Sequence, residues 1–206
     1  MKIVVLGATG MAGSRIVAEA LARGHQVTGI ARKPEGLADH PALTKVAADV
    51  AAEAEAGRLA DRLRGHDVVV SALHFQTLSE PQLVGAVKAA GIKRLLVVGG
   101  AGSLEAAPGV LVIDTPDFLE AWRPYARPGL DFLAALKGES ELEWTFISPS
   151  FFFEPGTRTG TFRLGTDQLL VAADGRSAIS GEDFAVAMLD EIETPAHVRR
   201  RFTVGY

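Results

Sequence analysis

The sequence predicts an α/β fold with a doubly wound parallel sheet and a small β/α extension near its C-terminal end. Short apolar runs alternate with longer amphipathic stretches over most of the 206 residues, as in repeated βαβ units. The runs carry Val, Ile and Leu on both faces, which is typical of parallel strands covered by helices. Three glycines follow the first run directly. The length fits a single domain over residues 1–206.

Six apolar runs are predicted to form the main sheet, with four helices between them. The strands are predicted at Lys2 to Leu6, Gln26 to Ala31, Leu43 to Ala47, Asp67 to Ala72, Arg94 to Gly99 and Glu143 to Ser148. The helices are predicted at Ala12 to Ala22, Ala54 to Arg64, Glu80 to Ala90 and Asp117 to Lys137. In the first helix, Ile16 and Leu21 fall on one apolar face, and Gly24 provides the left-handed stop.

The chain changes character after the sixth strand. Turn residues dominate there, and two short β-like pieces are predicted at Thr161 to Leu164 and Gln168 to Ala172. Ser180 is expected to be the N-cap of a further helix, because an acid stands three residues later. This helix is predicted to end near Glu193 and to lead into a final strand from Arg201 to Tyr206.

The composition argues against several classes of protein. Lys and Arg number 21 against 25 Asp and Glu, and this net charge of −4 gives no basis for a nucleic-acid partner. The basic cluster from Arg199 to Arg201 is expected to be a solvated edge. The chain has no Cys, and its His residues show no metal-ligand spacing, so no metal site is predicted. Neither a signal peptide nor a membrane-spanning run is visible, so we expect a cytoplasmic protein.

The three glycines have the spacing G-x-x-G-x-x-G at a strand-to-helix turn. Gly7 permits the tight turn, Gly10 lets the backbone approach a pyrophosphate, and Gly13 allows close packing of helix on strand. Free amides and the helix dipole at the start of the helix favour a bound phosphate. The pattern therefore predicts a dinucleotide site in a Rossmann fold, although a plain strand-turn-helix connection can also use glycines.

Five segments together resemble one family. They are VVLGATGMAGSRIVAEALARGHQVTGIAR, DVVVSAL, RLLVVGGAG, WTFISPSFFFEPG and ISGEDFAVAMLDEIE, in this order over nearly the whole chain. Their order and spacing resemble the extended and atypical short-chain dehydrogenase/reductases. The similarity is greatest to the small NAD(P)H-binding group that includes NmrA-like and flavin or biliverdin reductase-like proteins.

The resemblance implies cofactor contacts at the carboxyl ends of the strands, where open α/β sheets bind ligands. It implies a pyrophosphate loop containing Thr9, Gly10, Met11 and Ala12. The further contacts that it implies are Arg32 at the ribose, Asp49 and Val50 at the adenine, Ser71, Ala72 and Leu73 along the cofactor, Gly99 and Gly100 after the fifth strand, and Pro149, Ser150 and Phe151 near the nicotinamide.

The residues after the second strand predict which nicotinamide cofactor binds. NAD-preferring sites commonly place Asp or Glu here, where the carboxylate accepts hydrogen bonds from the ribose. This chain instead has Arg32 and Lys33, with no acid before Glu35. A guanidinium can hold a 2′-phosphate with two parallel hydrogen bonds. We therefore expect NADP(H) to be preferred over NAD(H); a solvated basic turn is the alternative.

The proton-transfer pair typical of the superfamily is missing. That pair is Tyr-x-x-x-Lys, in which Lys lowers the pKa of the phenol. Four residues after Tyr125 comes Gly129 instead of Lys, and Pro124 and Pro128 are expected to interrupt the helix. The remaining candidate catalytic residues are therefore His74, Ser103 and Tyr125. The alternative for His74 is an ordinary loop residue, and the alternative for Ser103 is a turn residue. These three and Phe153 are predicted to line one cavity.

Other side chains leave two interpretations open. The run Phe151 to Phe153 is expected to place one or two rings in the core and one in an apolar substrate pocket. Arg158 is either a contact to an anionic ligand or a solvated loop residue. His25 and His66 stand in Gly-His turns and are expected at the surface.

Two functional hypotheses follow. The first is an NAD(P)H-dependent oxidoreductase that passes hydride to a planar or apolar acceptor such as a flavin or quinone, because such an acceptor can take its proton from solvent. The second is an NADP(H)-binding redox sensor or regulatory module without turnover. A sugar-nucleotide epimerase or dehydratase is disfavoured, because those reactions depend on the missing pair. No oligomeric state is predicted.

Overall fold

The computed structural model describes residues 1–206 and contains twelve strands and six α-helices. The strands are β1 (Lys2–Leu6), β2 (Gln26–Ala31), β3 (Leu43–Ala47), β4 (Val68–Ser71), β5 (Arg94–Val98), β6 (Glu105–Ala107), β7 (Val110–Leu111), β8 (Glu143–Pro149), β9 (Phe152–Glu154), β10 (Arg163–Gly165), β11 (Ala178–Ser180) and β12 (Arg200–Gly205). The helices are α1 (Met11–Ala22), α2 (Val50–Glu55), α3 (Leu59–Leu63), α4 (Glu80–Ala89), α5 (Arg123–Leu136) and α6 (Gly181–Glu193).

The main sheet has eight strands in the order β10-β12-β8-β5-β4-β1-β2-β3. All neighbouring pairs are parallel except β10 with β12, so an antiparallel edge strand completes an otherwise parallel sheet. Two small sheets stand apart, one of β9 with β11 and one of β6 with β7. The predicted fold class is confirmed: the sheet is doubly wound, and its strand order reverses between β1 and β4.

Two apolar cores cover the two faces of the sheet. On one face, side chains of α1 and α6 pack on β1 residues such as Ile3 and Val5. On the other face, α3, α4 and α5 pack on Val4 and Leu6 of the same strand. This arrangement explains why the strands are apolar at successive positions: side chains that point to opposite faces are both buried.

The C-terminal extension is fixed to α6 by one buried carboxylate. Asp183 accepts hydrogen bonds from the amides of Thr159 and Gly160, at 2.8 Å each, and from the Tyr206 hydroxyl at 2.8 Å. Burial opposes ionisation of Asp183, but these hydrogen bonds hold its pKa below the ordinary value. Ser180 is the N-cap of α6, as predicted, and accepts from the Asp183 amide at 3.0 Å.

Three helical predictions are corrected. The predicted helix from Ala54 to Arg64 is replaced by α2 and α3, because Gly57 adopts a φ of +69° between them. The helix predicted from Asp117 begins only at Arg123, after a 3-10 turn at Glu120–Trp122. It then continues through Pro128, where an interruption was expected.

Strand predictions in the extension were partly wrong. The piece predicted at Thr161 to Leu164 is displaced to β10, and the piece at Gln168 to Ala172 forms no strand. Only Gln168 makes an isolated bridge, to Glu105. Strands β9 and β11 were not predicted, since each has only three residues.

Several charged and imidazole side chains expected in solvent are held in the fold. His25 is buried and lies 2.8 Å from a carboxylate oxygen of Glu193. The His66 ring is half-buried, 2.8 Å from the hydroxyl oxygen of Thr28. Arg201 is also buried and pairs with Asp167, so the basic cluster is not wholly a solvated edge.

Candidate functional site

The glycine turn has the geometry that its spacing predicts. Gly7 adopts a φ of +78°, and a Cβ there would lie 2.6 Å from the Ala72 carbonyl oxygen. A Cβ on Gly13 would lie 2.9 Å from the Gly7 carbonyl carbon and 3.1 Å from the Ala8 Cα. Both positions therefore require glycine, the first for conformation and close approach and the second for packing of α1 on the turn.

Gly10 is the N-cap of α1, and its surroundings differ from those of Gly7 and Gly13. Its backbone is extended, and a Cβ would meet only the Gly7 carbonyl oxygen, at 3.2 Å. No side chain caps the helix, and the amides of Met11 and Ala12 have no acceptor within the chain. Free amides and the positive end of the helix dipole thus face the open side of the turn. Helix N-termini with unpaired amides of this kind commonly bind phosphate groups.

An exposed cationic pair follows β2, on one side of the turn. Arg32 and Lys33 are exposed, and neither makes a side-chain hydrogen bond or ion pair. Beyond β3, Asp49 is the N-cap of α2, and its carboxylate accepts from the Ala51 amide at 3.0 Å. Val50 is a core residue, so only its backbone is available to a ligand. Arg32 and Lys33 remain the groups free to meet an anionic end of a nucleotide.

A cleft of about 410 Å³ opens on the other side of the turn. Its residues come from the glycine turn, the loop after β4, the turn after β5, the N-terminal half of α5 and the segment after β8. Its lining is Gly10, Met11, Ala12, Ala72, Leu73, His74, Phe75, Gln76, Val98, Gly99, Gly100, Ala101, Gly102, Ser103, Phe118, Trp122, Tyr125, Ala126, Gly129, Leu130, Phe151 and Phe153. None of these is Asp, Glu, Lys or Arg.

The floor of the cleft is an extension of the core. Phe75 stacks on Phe146 with ring centroids 5.9 Å apart, and lies 5.3 Å from the Phe132 ring. Gly129 on α5 packs against the same ring, since a Cβ there would lie 2.9 Å from Phe75 Cε2. Gly129 stands four residues after Tyr125, where a Tyr-x-x-x-Lys pair would have its Lys. The aromatic floor therefore occupies the space that a side chain at this position would need.

One wall of the cleft consists of three rings, which we call the aromatic corner: Phe118, Trp122 and Phe151. Phe118 meets both other rings edge-on, at 6.2 and 6.3 Å between centroids, and Trp122 lies 5.9 Å from Phe151. Trp122 keeps 45% of its surface exposed. No role was predicted for Phe118 or Trp122, because their segment was expected to be helical. The signal available in the sequence was the density of aromatic residues in 118–125.

The cleft has few polar side chains, and two of them, Gln76 and Ser103, are engaged in hydrogen bonds within the chain. Gln76 donates to the Pro124 carbonyl at 3.0 Å, which is the carbonyl left without a helical donor by Pro128. This bond explains how α5 passes through a proline. The Ser103 hydroxyl donates to the Gly100 carbonyl at 3.3 Å, and Arg201 donates to Ser103.

The four residues predicted to share a cavity all line this cleft: His74, Ser103, Tyr125 and Phe153. His74 and Tyr125 are exposed at its mouth, whereas Ser103 is buried. None of the first three has a partner resembling an acid/base pair: neither His74 nor Tyr125 makes a side-chain hydrogen bond, and Ser103 is held by backbone and Arg201.

Some residues predicted to contact a cofactor do not line the cleft. Ser150 is fully buried, and its hydroxyl donates to the Val204 carbonyl at 3.1 Å, so that hydroxyl is already engaged within the chain. Pro149 is buried within β8, and Ser71 ends β4 with 5% exposure. Thr9 is exposed in the glycine turn, outside the cleft. The segment after β8 reaches the cleft through Phe151 and Phe153 instead.

Arg158 has a structural partner. Its guanidinium forms two hydrogen bonds of 2.8 Å with the carboxylate of Glu19 on α1. Its side chain is 55% exposed, so of the two interpretations left open, the solvated loop residue describes Arg158 better, with the addition that it is tied to α1.

The whole glycine turn and cleft lie within one family signature. A sequence model described as NAD(P)H-binding matches residues 7–195. The chain belongs to this NAD(P)H-binding family. Its members' signature begins at Gly7, the residue at which the turn begins, and ends just beyond α6. The assignment confirms the resemblance to NAD(P)H-binding reductases.

Similar proteins extend over the full chain. The uncharacterized protein YwnB of Bacillus subtilis strain 168 is 39% identical over 216 residues, with 99% of this chain and 98% of YwnB covered. A proposed epimerase of Bacteroides thetaiotaomicron has a TM-score of 0.93 and 39% identity, covering 100% of this chain and 96% of that one. A proposed NADH-flavin reductase of Streptococcus pneumoniae TIGR4 has a TM-score of 0.83 and 33% identity, covering 100% and 99%.

The residues present fit a dinucleotide. The glycine turn leaves open the volume that a side chain at Gly10 would fill, and the amides of Met11 and Ala12 point to it. No group of three or more His, Cys, Asp or Glu side chains is placed to hold a metal ion. No helix is both long and apolar enough to cross a bilayer.

Proposed function

We propose that this protein is an NAD(P)H-dependent oxidoreductase whose acceptor is planar or apolar, such as a flavin or a quinone. The observation that carries the proposal is the cleft beside the glycine turn. It adjoins the predicted pyrophosphate site through Gly10, Met11 and Ala12, has an aromatic wall, and contains no charged side chain. Such a lining suits an apolar ring system better than a sugar or an organic acid.

In this proposal the chain binds and orients both reactants and excludes water. When bound, the reduced nicotinamide supplies the hydride, which carries two electrons and one proton to the acceptor. The amides of Met11 and Ala12 hold the pyrophosphate. Phe75 and the aromatic corner shape the cleft for the acceptor ring. The remaining proton comes from solvent, because no acid/base pair lies in the cleft and Gly129 leaves no room for a Lys.

A pair of variants on α5 tests the proposal. Ala126 lines the cleft, whereas Ala134 is exposed on the same helix and outside it. Ala126→Phe should reduce NADPH oxidation with riboflavin or a small quinone at least about tenfold, and Ala134→Phe should leave it unchanged. The measurement is the rate of loss of NADPH absorbance, less the rate without enzyme. A wild-type rate equal to the blank for every acceptor would contradict the proposal.

The alternative is a cofactor sensor without turnover. The same lack of an acid/base pair in the cleft supports it. Tight binding of NADPH by calorimetry, with no oxidation by any acceptor, would favour the sensor. A partner whose affinity then changes between NADPH and NADP⁺ would establish it.

We further propose that NADP(H) is preferred over NAD(H). The free guanidinium of Arg32, with Lys33 beside it, is available to a 2′-phosphate. We expect at least about tenfold tighter binding of NADPH, or roughly 1.4 kcal/mol. Arg32→Asp should remove or invert the preference while leaving NADH binding nearly unchanged. Arg200→Asp is the matched control, since Arg200 is exposed at the amino end of β12. Equal calorimetric affinities in the unmutated protein would refute the assignment.

A further inference from the structure

We infer that the acceptor is recognised as an uncharged ring system, and that phosphate or carboxylate groups on it add nothing to its binding. The inference rests on the proposed function and specifies the acceptor class at the same site. Its basis is the absence of Lys and Arg from the lining of the cleft, together with the aromatic corner at one end.

Cations near the aromatic corner are already paired. Arg123 follows Trp122 directly, but it donates to the Glu120 carboxylate at 2.6 Å and to the Ile113 carbonyl at 2.6 Å. Arg201 donates to the Ser103 carbonyl, but its side chain is 95% buried and is paired with Asp167. Beyond the amides of Met11 and Ala12, which the cofactor pyrophosphate would occupy, an anionic group entering the cleft would therefore lose its hydration without meeting a Lys or Arg side chain.

Unpaired cations lie outside the cleft. Arg127 is exposed on α5 but is not among the lining residues, although Tyr125 and Ala126 beside it are. Arg176 stands 5.1 Å over the ring of Phe152 and lines a separate pocket of about 380 Å³. That pocket also contains Glu154 and Asp174, which offset its positive charge. Neither Arg127 nor Arg176 gives the cleft an anion-binding group.

The aromatic corner instead offers faces and edges of rings. Trp122 and Phe151 are inclined at 50°, and Phe118 closes the angle behind them almost perpendicular to both. Ring systems bind such surfaces by stacking and by burial of apolar area, which do not depend on ionic strength. Riboflavin and FMN share one ring system and differ by a phosphate, so the two together test the inference.

Trp122 provides a readout that needs no turnover. The chain has two Trp residues, and the other, Trp144, is 2% exposed and donates to the Glu139 carbonyl at 3.1 Å. Riboflavin binding at the aromatic corner should quench Trp122 fluorescence, and Trp122→Phe should abolish that change while preserving a ring. Leu164→Ala is the control, because Leu164 is an exposed apolar side chain on β10 and is not among the residues that line the cleft.

The test is a fluorescence titration of the NADP⁺-loaded protein with riboflavin and with FMN, at 20 mM and 300 mM NaCl. We expect dissociation constants that agree within about threefold and do not change with salt. In Trp122→Ala, which lacks the reporting residue, binding is followed by the emission of the flavin itself and should be about tenfold weaker. FMN binding more than about tenfold tighter, and weakened by salt, would overturn the inference even if turnover is observed. Salt-independent binding without NADPH oxidation would leave it intact while refuting the proposed oxidoreductase activity.

Discussion

Three single glycine-to-alanine changes should separate folding from cofactor binding. The same methyl group is added at Gly13, Gly10 and Gly85, three positions with different surroundings. At Gly13 it would lie 2.9 Å from the Gly7 carbonyl carbon; at Gly10 it would meet only the Gly7 carbonyl oxygen, at 3.2 Å; at Gly85 it would meet nothing within 4 Å. The three variants therefore have distinct expected outcomes.

The magnitudes follow from these distances. Gly85→Ala, on the exposed face of α4, should raise the free energy of unfolding by about 0.5–1 kcal/mol through helix propensity. Gly13→Ala gains the same amount, but overpacking against backbone costs about 1–3 kcal/mol, so a net loss is expected. Gly10→Ala should cost less than about 1 kcal/mol, since its extended N-cap backbone suits any residue.

The three variants should rank differently in cofactor affinity than in stability. Gly10 lines the cleft, so a methyl group there blocks the approach of a pyrophosphate to the free amides. We expect NADPH binding by Gly10→Ala to weaken at least about tenfold, or 1.4 kcal/mol, with binding by Gly85→Ala unchanged. Urea unfolding gives the stabilities and calorimetry the affinities. Wild-type affinity in Gly10→Ala would refute the assigned approach, and a Gly13→Ala protein as stable as Gly85→Ala would refute the packing argument.

Two further predictions concern charge and protons. The hydrogen bonds from Arg158 hold the pKa of Glu19 at about 2, below the ordinary value of 4.5. Because the folded-state pKa is depressed, this stabilisation is complete above about pH 4.5 and is lost as the pH falls toward 2. Glu19→Gln should remove that part of the pH dependence of the unfolding free energy, by about 1–2 kcal/mol once the exposure of Arg158 is allowed for. Urea unfolding at pH 7 and pH 3 measures it, and the same loss of stability between the two pH values in both proteins would contradict the prediction. Tyr125, 61% exposed at the mouth of the cleft, should be dispensable for chemistry. Tyr125→Phe should keep kcat within about twofold, and a loss of about 100-fold would identify it as the proton donor.

The sequence predicted those features that local pattern determines. The bounds of β1, β2 and β3 agree residue for residue with the prediction. The apolar run of β1 is buried, whereas β3 is a half-exposed edge strand that contains Thr44 and Lys45. The glycine turn was predicted because each glycine has a local steric cause. Cofactor contacts assigned by resemblance remain predictions. The burial of Ser150 and its hydrogen bond to Val204 could not be predicted from its neighbours in the chain.

Features that depend on distant residues could not be predicted. His25 is buried because Glu193 and the Met1 amine lie beside it, and nothing in a Gly-His turn indicates such partners. The continuity of α5 through Pro128 depends on Gln76, which lies 48 residues before the carbonyl that it caps. The aromatic corner likewise joins residues 118–122 with Phe151, and only the folded chain brings these together.

The stack of Phe75 on Phe146 makes the floor of the cleft harder to alter by substitution than its rim. Phe146 is fully buried, and its ring also fills the space that a side chain on Gly99 would need. Enlarging the floor would therefore open a void in the centre of the protein and lower its stability. Replacing Trp122 at the rim should open no such void, because almost half of its surface already faces water. Directed evolution toward new acceptors should accordingly accumulate substitutions along the rim of α5 and leave the floor unchanged.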